Sequence, residues 1–278
     1  MPLNVNDFDY IRSMVRDLAA ISLHRDQAYL AEARLDALAR REGLGSLPAL
    51  ITEVRGGRDA GGLRRRVVEA MTTNESSFFR DFHPFEALHE AILPGLIVRR
   101  GATRRLRIWC AGCSSGQEPY SIAMLLREYF GGRLAGWDVS ILATDLSTEV
   151  LAKASAGRYT QMEVNRGVPA QLLGKFFRKL GTEWHLHDEV RRMVTFQRLN
   201  LVEPWPLIGP IDLVMLRNVL IYFETEAKRD LLDRTARVLA RDGCLFLGAA
   251  ETTLNLSEAY DRVEVGRAAC YGLRMNPT

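Results

Sequence analysis

The chain has 278 residues, 47% hydrophobic and 26% charged, which is enough for a large core and too well balanced for a disordered or fibrous protein. A net charge of +3 gives no general affinity for polyanions, so nucleic-acid partners are not expected. There is no membrane-length apolar run, no signal-peptide layout and no disulfide-rich pattern among the four cysteines. A cytoplasmic monomer with free thiols and no membrane insertion is expected.

The front of the chain reads as helices. Residues 7–21 put Phe8, Ile11, Val15 and Leu18 on one face, with Asn6 or Asp7 available as a cap. A second helix is predicted over Arg25–Arg41 with Leu30, Leu35 and Leu38 inward. A third carries Leu47, Leu50, Ile51 and Val54 up to the break at Gly56-Gly57, and a fourth carries Leu63, Val67, Ala70 and Met71. This all-α N-terminal domain is expected to span residues 1–80, with a linker helix at 81–95.

From residue 96 onward the pattern changes. Short buried-type strands at Leu106–Cys110, Val139–Thr144, Ile211–Leu216 and Cys244–Gly248 alternate with helices at Pro119–Tyr129 and Thr225–Leu239, the signature of a mostly parallel α/β sheet. Residues 157–198 interrupt the alternation. They read as an inserted subdomain with a helix near Pro169–Phe177 and short antiparallel strands at Glu183–His187 and Met193–Phe196. Asp261–Gly266 and Ala268–Arg274 read as a terminal hairpin on the sheet edge. The arginines at 99, 100, 104, 105 and 107 precede a buried strand and are expected to form a solvated loop.

Chemistry concentrates where strands end. The run Ile108-Trp109-Cys110-Ala111-Gly112-Cys113-Ser114-Ser115-Gly116-Gln117-Glu118-Pro119-Tyr120 passes from strand to helix through small residues, which lets backbone approach a ligand at Gly112. It lacks the Gly-x-Gly-x-x-Gly of dinucleotide sites, and Glu118 beside a pyrophosphate would be repulsive. An acid there suits a ligand with an ammonium group or ribose hydroxyls, such as S-adenosylmethionine. Asp145, directly after the second strand, is placed to grip ribose hydroxyls, leaving Ser147 to cap the next helix. The segment Arg217-Asn218-Val219-Leu220-Ile221-Tyr222-Phe223 crosses the same sheet edge and lacks the Pro-Pro-aromatic element of adenine methyltransferases. Cys110 and Cys113 have no second pair with which to build a zinc site, and no metal is expected.

Thr72-Thr73-Asn74-Glu75-Ser76-Ser77-Phe78-Phe79-Arg80-Asp81, the glycine turn, Ala143-Thr144-Asp145-Leu146-Ser147 and Arg217–Phe223 together resemble, in order and spacing, the motifs of the CheR family of chemoreceptor glutamate methyltransferases. The resemblance implies a class I methyltransferase fold: a Rossmann-like, mostly parallel sheet with an antiparallel terminal hairpin, an all-α domain before it and a small antiparallel β insertion. It implies S-adenosylmethionine as cofactor, contacted by Asn74, Ser76, Arg80, Glu118, Asp145, Asn200 with Leu201, and Asn218 with Val219. It also implies that the partner is the cytoplasmic helical methylation region of a chemoreceptor. In the family a basic surface of the helical domain helps recognise that region. Here His24, Arg25, Arg34, Arg40 and Arg41 are diluted by Asp26, Glu32 and Asp36. Some members hold a receptor C-terminal pentapeptide on the insertion, but the compact stretch Leu180–Arg192 predicts no such tether.

Methylating a carboxylate needs no general base, because a glutamate with a pKa of about 4.3 is ionised at neutral pH. The requirement is positioning and desolvation. Arg80 is the candidate to grip the incoming carboxylate in two hydrogen bonds, and Tyr222 to donate a further one. Rival functions are a small-molecule methyltransferase, which would put no methyl into receptor protein, a dehydrogenase, which would need the missing phosphate turn, and a non-catalytic cofactor-binding module, which would tolerate loss of Arg80 or Tyr222.

Overall fold

The computed structural model describes residues 3–57 and 62–274. Four helices come first: α1 Val5–Ala19, α2 Ala28–Arg41, α3 Leu47–Arg55 and α4 Leu63–Met71. Their apolar stripes close on one another, with Ile11, Val15, Leu35, Ala39, Leu50 and Val67 wholly buried. The cap of α1 is Asn4, not Asn6 or Asp7; its side chain accepts the Asp7 N–H at 2.9 Å. Leu18 is 43% exposed, while Met14 and Ala19 complete the buried face. A single 3₁₀ turn, Arg25–Gln27, leads into α2, whose inward residues are Ala31, Leu35, Leu38 and Ala39, with Leu30 only half-buried.

Ten strands follow: β1 Arg105–Ala111, β2 Asp138–Asp145, β3 Arg158–Thr160, β4 Phe177–Leu180, β5 Glu183–Leu186, β6 Val194–Arg198, β7 Ile211–Leu216, β8 Leu239–Leu247, β9 Tyr260–Val265 and β10 Ala268–Leu273. Seven form one sheet in the order β6-β2-β1-β7-β8-β10-β9. The first five of that order run parallel, and β10 is antiparallel to both β8 and β9. The fold is therefore α/β, a Rossmann-like, mostly parallel sheet with an antiparallel terminal hairpin. β7 is buried at every position, as a strand covered on both faces must be. After β1 the chain builds outward through β2 to β6, then returns to lay β7 on the other side of β1. This reversal opens a crevice at the carboxyl ends of β1 and β7, where open α/β sheets bind ligands.

Two expectations change. Met193–Phe196 was expected as an antiparallel strand of the insertion, but β6 runs parallel to β2 at the edge of the main sheet, pairing Ile141 with Val194 through Asp145 with Arg198. Alternating apolar residues specify a half-buried strand and leave its direction and partner open. The small antiparallel sheet is instead β3-β5-β4. β3 and β4 are three and four residues long, and the charged Arg178 and Lys179 in β4 mask any apolar run.

The arginine cluster before β1 is also not simply a solvated loop. Arg100 bonds Asp212 at 2.7 Å and Asp242 at 2.5 Å, and the buried Asp212 also accepts the Arg107 N–H at 2.7 Å. Hydrogen bonding from Arg100 holds the Asp242 carboxyl down at about 2. Among the described residues no helix is long and apolar enough to cross a membrane.

Candidate functional site

A cleft open to solvent lies at the crevice between the carboxyl ends of β1 and β7, and the helical front of the chain supplies its outer wall. Asn74, Ser76, Arg80, Gly112, Glu118, Asp145, Asn200, Leu201, Asn218, Val219 and Tyr222 all line it. Residues up to 148 positions apart in sequence, Asn74 and Tyr222, thus converge because each follows a strand end or faces one.

The floor is the turn after β1. The N–H groups of Gly112 and Cys113 both donate to the Thr144 carbonyl, at 2.8 and 2.9 Å, which pins the turn to β2. Gly112 has φ +75°, and a β-carbon there would fall 2.5 Å from Cγ2 of Val219. Only glycine allows the two cofactor-facing segments to approach so closely. Ser114 donates its N–H to Asp145 Oδ2 at 2.8 Å and its hydroxyl to the Asn74 carbonyl at 2.8 Å, joining the turn to the segment that carries Arg80. Cys110 and Cys113 are buried thiols packed in this turn.

Two carboxylates define the electrostatics. Asp145 is buried and accepts the backbone N–H groups of Ser114 and Ser147; Ser147, as expected, caps the helix Thr148–Ala156. Burial raises its pKa above the usual aspartate range, opposed by these amide bonds. Glu118, in the first turn of the helix Gln117–Phe130, is raised by burial too, with Arg217 pulling the other way. Asp145 has no cationic side chain within ion-pair distance among the described residues. A desolvated pair of acids of this kind repels pyrophosphate and favours a ligand bearing an ammonium group and ribose hydroxyls, so the residues present fit S-adenosylmethionine.

The same cleft holds groups with spare hydrogen-bonding capacity. Arg80 makes one hydrogen bond, to the Glu75 carbonyl at 3.3 Å, and has no ion pair among the described residues. Its neighbours Phe79, Asp81 and Phe82 have φ of 47°, 66° and 47°, a run of left-handed non-glycine residues of the sort concentrated at functional sites. The Tyr222 hydroxyl has no hydrogen-bond partner among the described residues. The Tyr222 carbonyl accepts the Ser22 N–H at 2.9 Å, and Ile21 bridges to Phe223, so the chain leaving α1 is fastened to the site.

Asn200 lines the cleft, but its side chain is occupied elsewhere: the amide donates to the Leu18 carbonyl at 2.8 Å and to Glu203 at 3.0 Å. Its visible structural effect is to tie the sheet to α1.

Arg217 had not been singled out from the sequence. Its side chain is 1% exposed and donates to Glu118 at 2.8 Å, to Asp81 at 2.7 Å and to the Arg80 carbonyl at 2.9 Å. The signal was present, since a guanidinium directly after six buried residues must find partners. Glu251, which binds the backbone of Asn218 and Ile221, left no such trace.

The family described as CheR methyltransferase, SAM binding domain, matches residues 74–268. Chemotaxis protein methyltransferase 1 of Pseudomonas aeruginosa is 42% identical over 270 residues, 95% of this chain and 97% of its own. Chemotaxis protein methyltransferase Cher2 of Pseudomonas putida is 37% identical over 268 residues, again 95% and 97% of the two chains. A chemotaxis protein methyltransferase of Vibrio parahaemolyticus is 36% identical over 277 residues, 98% of this chain and 99% of its own. With that coverage, and with the family's motif segments gathered around one cleft, the chain belongs to the CheR methyltransferase family and binds S-adenosylmethionine.

Proposed function

We propose that this protein transfers the methyl group of S-adenosylmethionine to glutamate side chains in the cytoplasmic helical methylation region of chemoreceptors, leaving glutamyl methyl esters and S-adenosylhomocysteine. The names of its relatives support the chemotaxis setting. The observation that carries the choice of acceptor is Arg80, a guanidinium in the cofactor cleft that feels Glu118 and Glu75 but forms no direct ion pair among the described residues, in a cleft shared with the Tyr222 phenol, whose hydroxyl has no hydrogen-bond partner among them.

The cofactor supplies an electrophilic methyl group on a sulfonium, so the acceptor needs a lone pair and no base. Arg80 binds one face of the incoming carboxylate through parallel N–H bonds and keeps it ionised. Tyr222 donates a further hydrogen bond and fixes which oxygen points inward. Glu118 and Asp145 would hold the cofactor's polar groups, and Arg217 offsets part of the burial that raises the Glu118 pKa.

Receptor docking through α2 is read as electrostatically weak. Arg40 is paired with Asp36 at 2.9 Å and Arg41 with Glu149 at 2.6 Å, while Arg34 donates to the carbonyls of Ala70, Met71 and Thr72. No pentapeptide tether is proposed, since only Gly181 and Thr182 separate β4 from β5. Calorimetry with receptor C-terminal peptides tests this, and saturable binding would refute it.

The decisive experiment incubates the protein with methyl-labelled S-adenosylmethionine and receptor-containing membranes. Base-labile label on receptor glutamates is expected. Label that resists base, or that appears only on small molecules, would overturn the proposal.

A further inference from the structure

We infer that Glu251 is a positioning residue that braces the Asn218–Tyr222 segment from behind and thereby sets Tyr222 for methyl transfer. Glu251 follows β8 and does not line the cofactor cleft. Its carboxylate gathers three backbone N–H groups: Oε2 accepts from Gly248 at 2.6 Å and from Asn218 at 2.8 Å, and Oε1 accepts from Ile221 at 3.2 Å. The chain at Asn218 has left β7 in a left-handed conformation, φ 57°, before the short turn Leu220–Tyr222. Those amides therefore have no strand or helix partner, and an anion that collects them fixes the path of the turn.

A second feature shows that the approach is built in. A β-carbon at Gly248 would lie 2.7 Å from Glu251 Oε2, 2.7 Å from Asn218 Nδ2 and 2.8 Å from the Asn218 nitrogen. Glycine at the end of β8 is what lets the acid and the turn meet. The braced segment carries Val219, which touches the Gly112 turn, and Tyr222 at its far end. The inference rests on the reading of Tyr222 as the group that faces the acceptor carboxylate.

Glu251→Gln preserves shape but turns one acceptor into an NH₂ donor facing an N–H. Loss of a hydrogen bond to a charged acceptor is worth about 1.5–3 kcal/mol, so kcat for receptor methylation is expected to fall at least about tenfold. The affinity for S-adenosylhomocysteine, measured by calorimetry, should change less than kcat. In a Tyr222→Phe background the same substitution should cost under about threefold, because the phenol it positions is gone. Glu251→Asp, which keeps the charge on a shorter arm, should recover part of the rate and serves if the glutamine variant does not fold.

Full additivity of Glu251→Gln with Tyr222→Phe, or an unchanged kcat, would overturn the inference. A readout without substrate is amide hydrogen exchange at Gly248, Asn218 and Ile221. Exchange should be at least about tenfold faster in Glu251→Gln, and unchanged protection would equally overturn the brace. If the unaltered protein failed to label receptors, the glutamyl reading would fall and exchange would still decide the role of Glu251.

Discussion

Gly167 sits directly against the backbone of Phe78: a β-carbon at 167 would lie 2.0 Å from the Phe78 carbonyl oxygen, and Gly167 has φ +132°. The contact belongs to a larger abutment between the insertion and the reaction centre. Tyr159 of β3 stacks edge-on against Phe78 at 4.9 Å and donates its hydroxyl to the Ser115 carbonyl at 2.8 Å, while Arg166 pairs with Glu75 at 3.0 Å. Phe78 is two residues before Arg80. Gly167→Ala should therefore displace the segment that bears Arg80, lowering kcat/KM for methyl transfer at least tenfold and stability by about 1–3 kcal/mol. Steady-state kinetics and thermal unfolding measure both; wild-type activity in a folded Gly167→Ala protein would show that the contact is not felt at the site.

Gly112 and Val219 yield a compensating pair. Gly112→Ala introduces a clash at 2.5 Å with Val219 in a left-handed backbone conformation and should weaken S-adenosylhomocysteine binding about tenfold or more. Adding Val219→Ala removes the clashing methyl and should recover part of that loss, leaving only backbone strain. Calorimetry on the two single variants and the double variant tests the coupling, and the absence of any recovery would put the loss on backbone strain alone.

Cofactor affinity should fall as the solution is acidified. Burial raises the pKa of both Glu118 and Asp145, so in the free protein each takes up a proton at a higher pH than an ordinary carboxyl. Glu118 faces Arg217, Arg80 and Asp81, whereas Asp145 faces backbone amides with Glu69 nearby. A ligand that prefers the carboxylates must displace those protons. Binding should therefore weaken on acidification at a higher pH than ordinary carboxyls would impose, with protons released as the ligand binds. Titration calorimetry in buffers of different ionisation enthalpy measures the release. Glu118→Gln should flatten the profile, leaving the part that belongs to Asp145.

Arg80→Lys keeps the charge and loses the planar pair of donors. With charge-assisted bonds worth about 1.5–3 kcal/mol each, kcat/KM for receptor should drop at least tenfold. Retention of full rate by the lysine variant would mean that a point charge suffices and that carboxylate geometry is set elsewhere.

Glu69 joins the helical front to the sheet. It is buried in α4, and its Oε2 accepts from the Thr148 N–H at 3.0 Å and hydroxyl at 2.8 Å, with Arg65 and Arg198 at 3.5 and 3.6 Å from Oε1. Glu69→Gln should destabilise the protein by about 1–3 kcal/mol in denaturant unfolding.

Much of this molecule is written locally. β7 could be bounded from the sequence as Ile211–Leu216 because five of its six residues, all but Asp212, are apolar, as suits a strand covered on both faces. Helices α3 and α4 were legible from the spacing of Leu47, Leu50, Ile51 and Val54, and of Leu63, Val67 and Met71. The cleft was legible for a different reason: its segments lie at strand ends, and parallel topology brings those ends to one edge. Short polar strands such as β4, the parallel pairing of β6 and the true cap of α1 were not legible. Each depends on a partner that no local pattern names.

The amino-acid sequence by itself determined which segments become helix and strand, which turns need glycine, and which acids and arginines stand at the sheet's carboxyl edge. The tertiary structure decided which of those groups are spent on each other: Arg217 on Glu118 and Asp81, Asn200 on the Leu18 carbonyl, Glu251 on three backbone amides, and Arg80 on almost nothing. The physical reason is that secondary structure answers to side-chain period and backbone preference over a few residues. Whether a buried polar group is satisfied depends instead on atoms brought beside it from a hundred residues away.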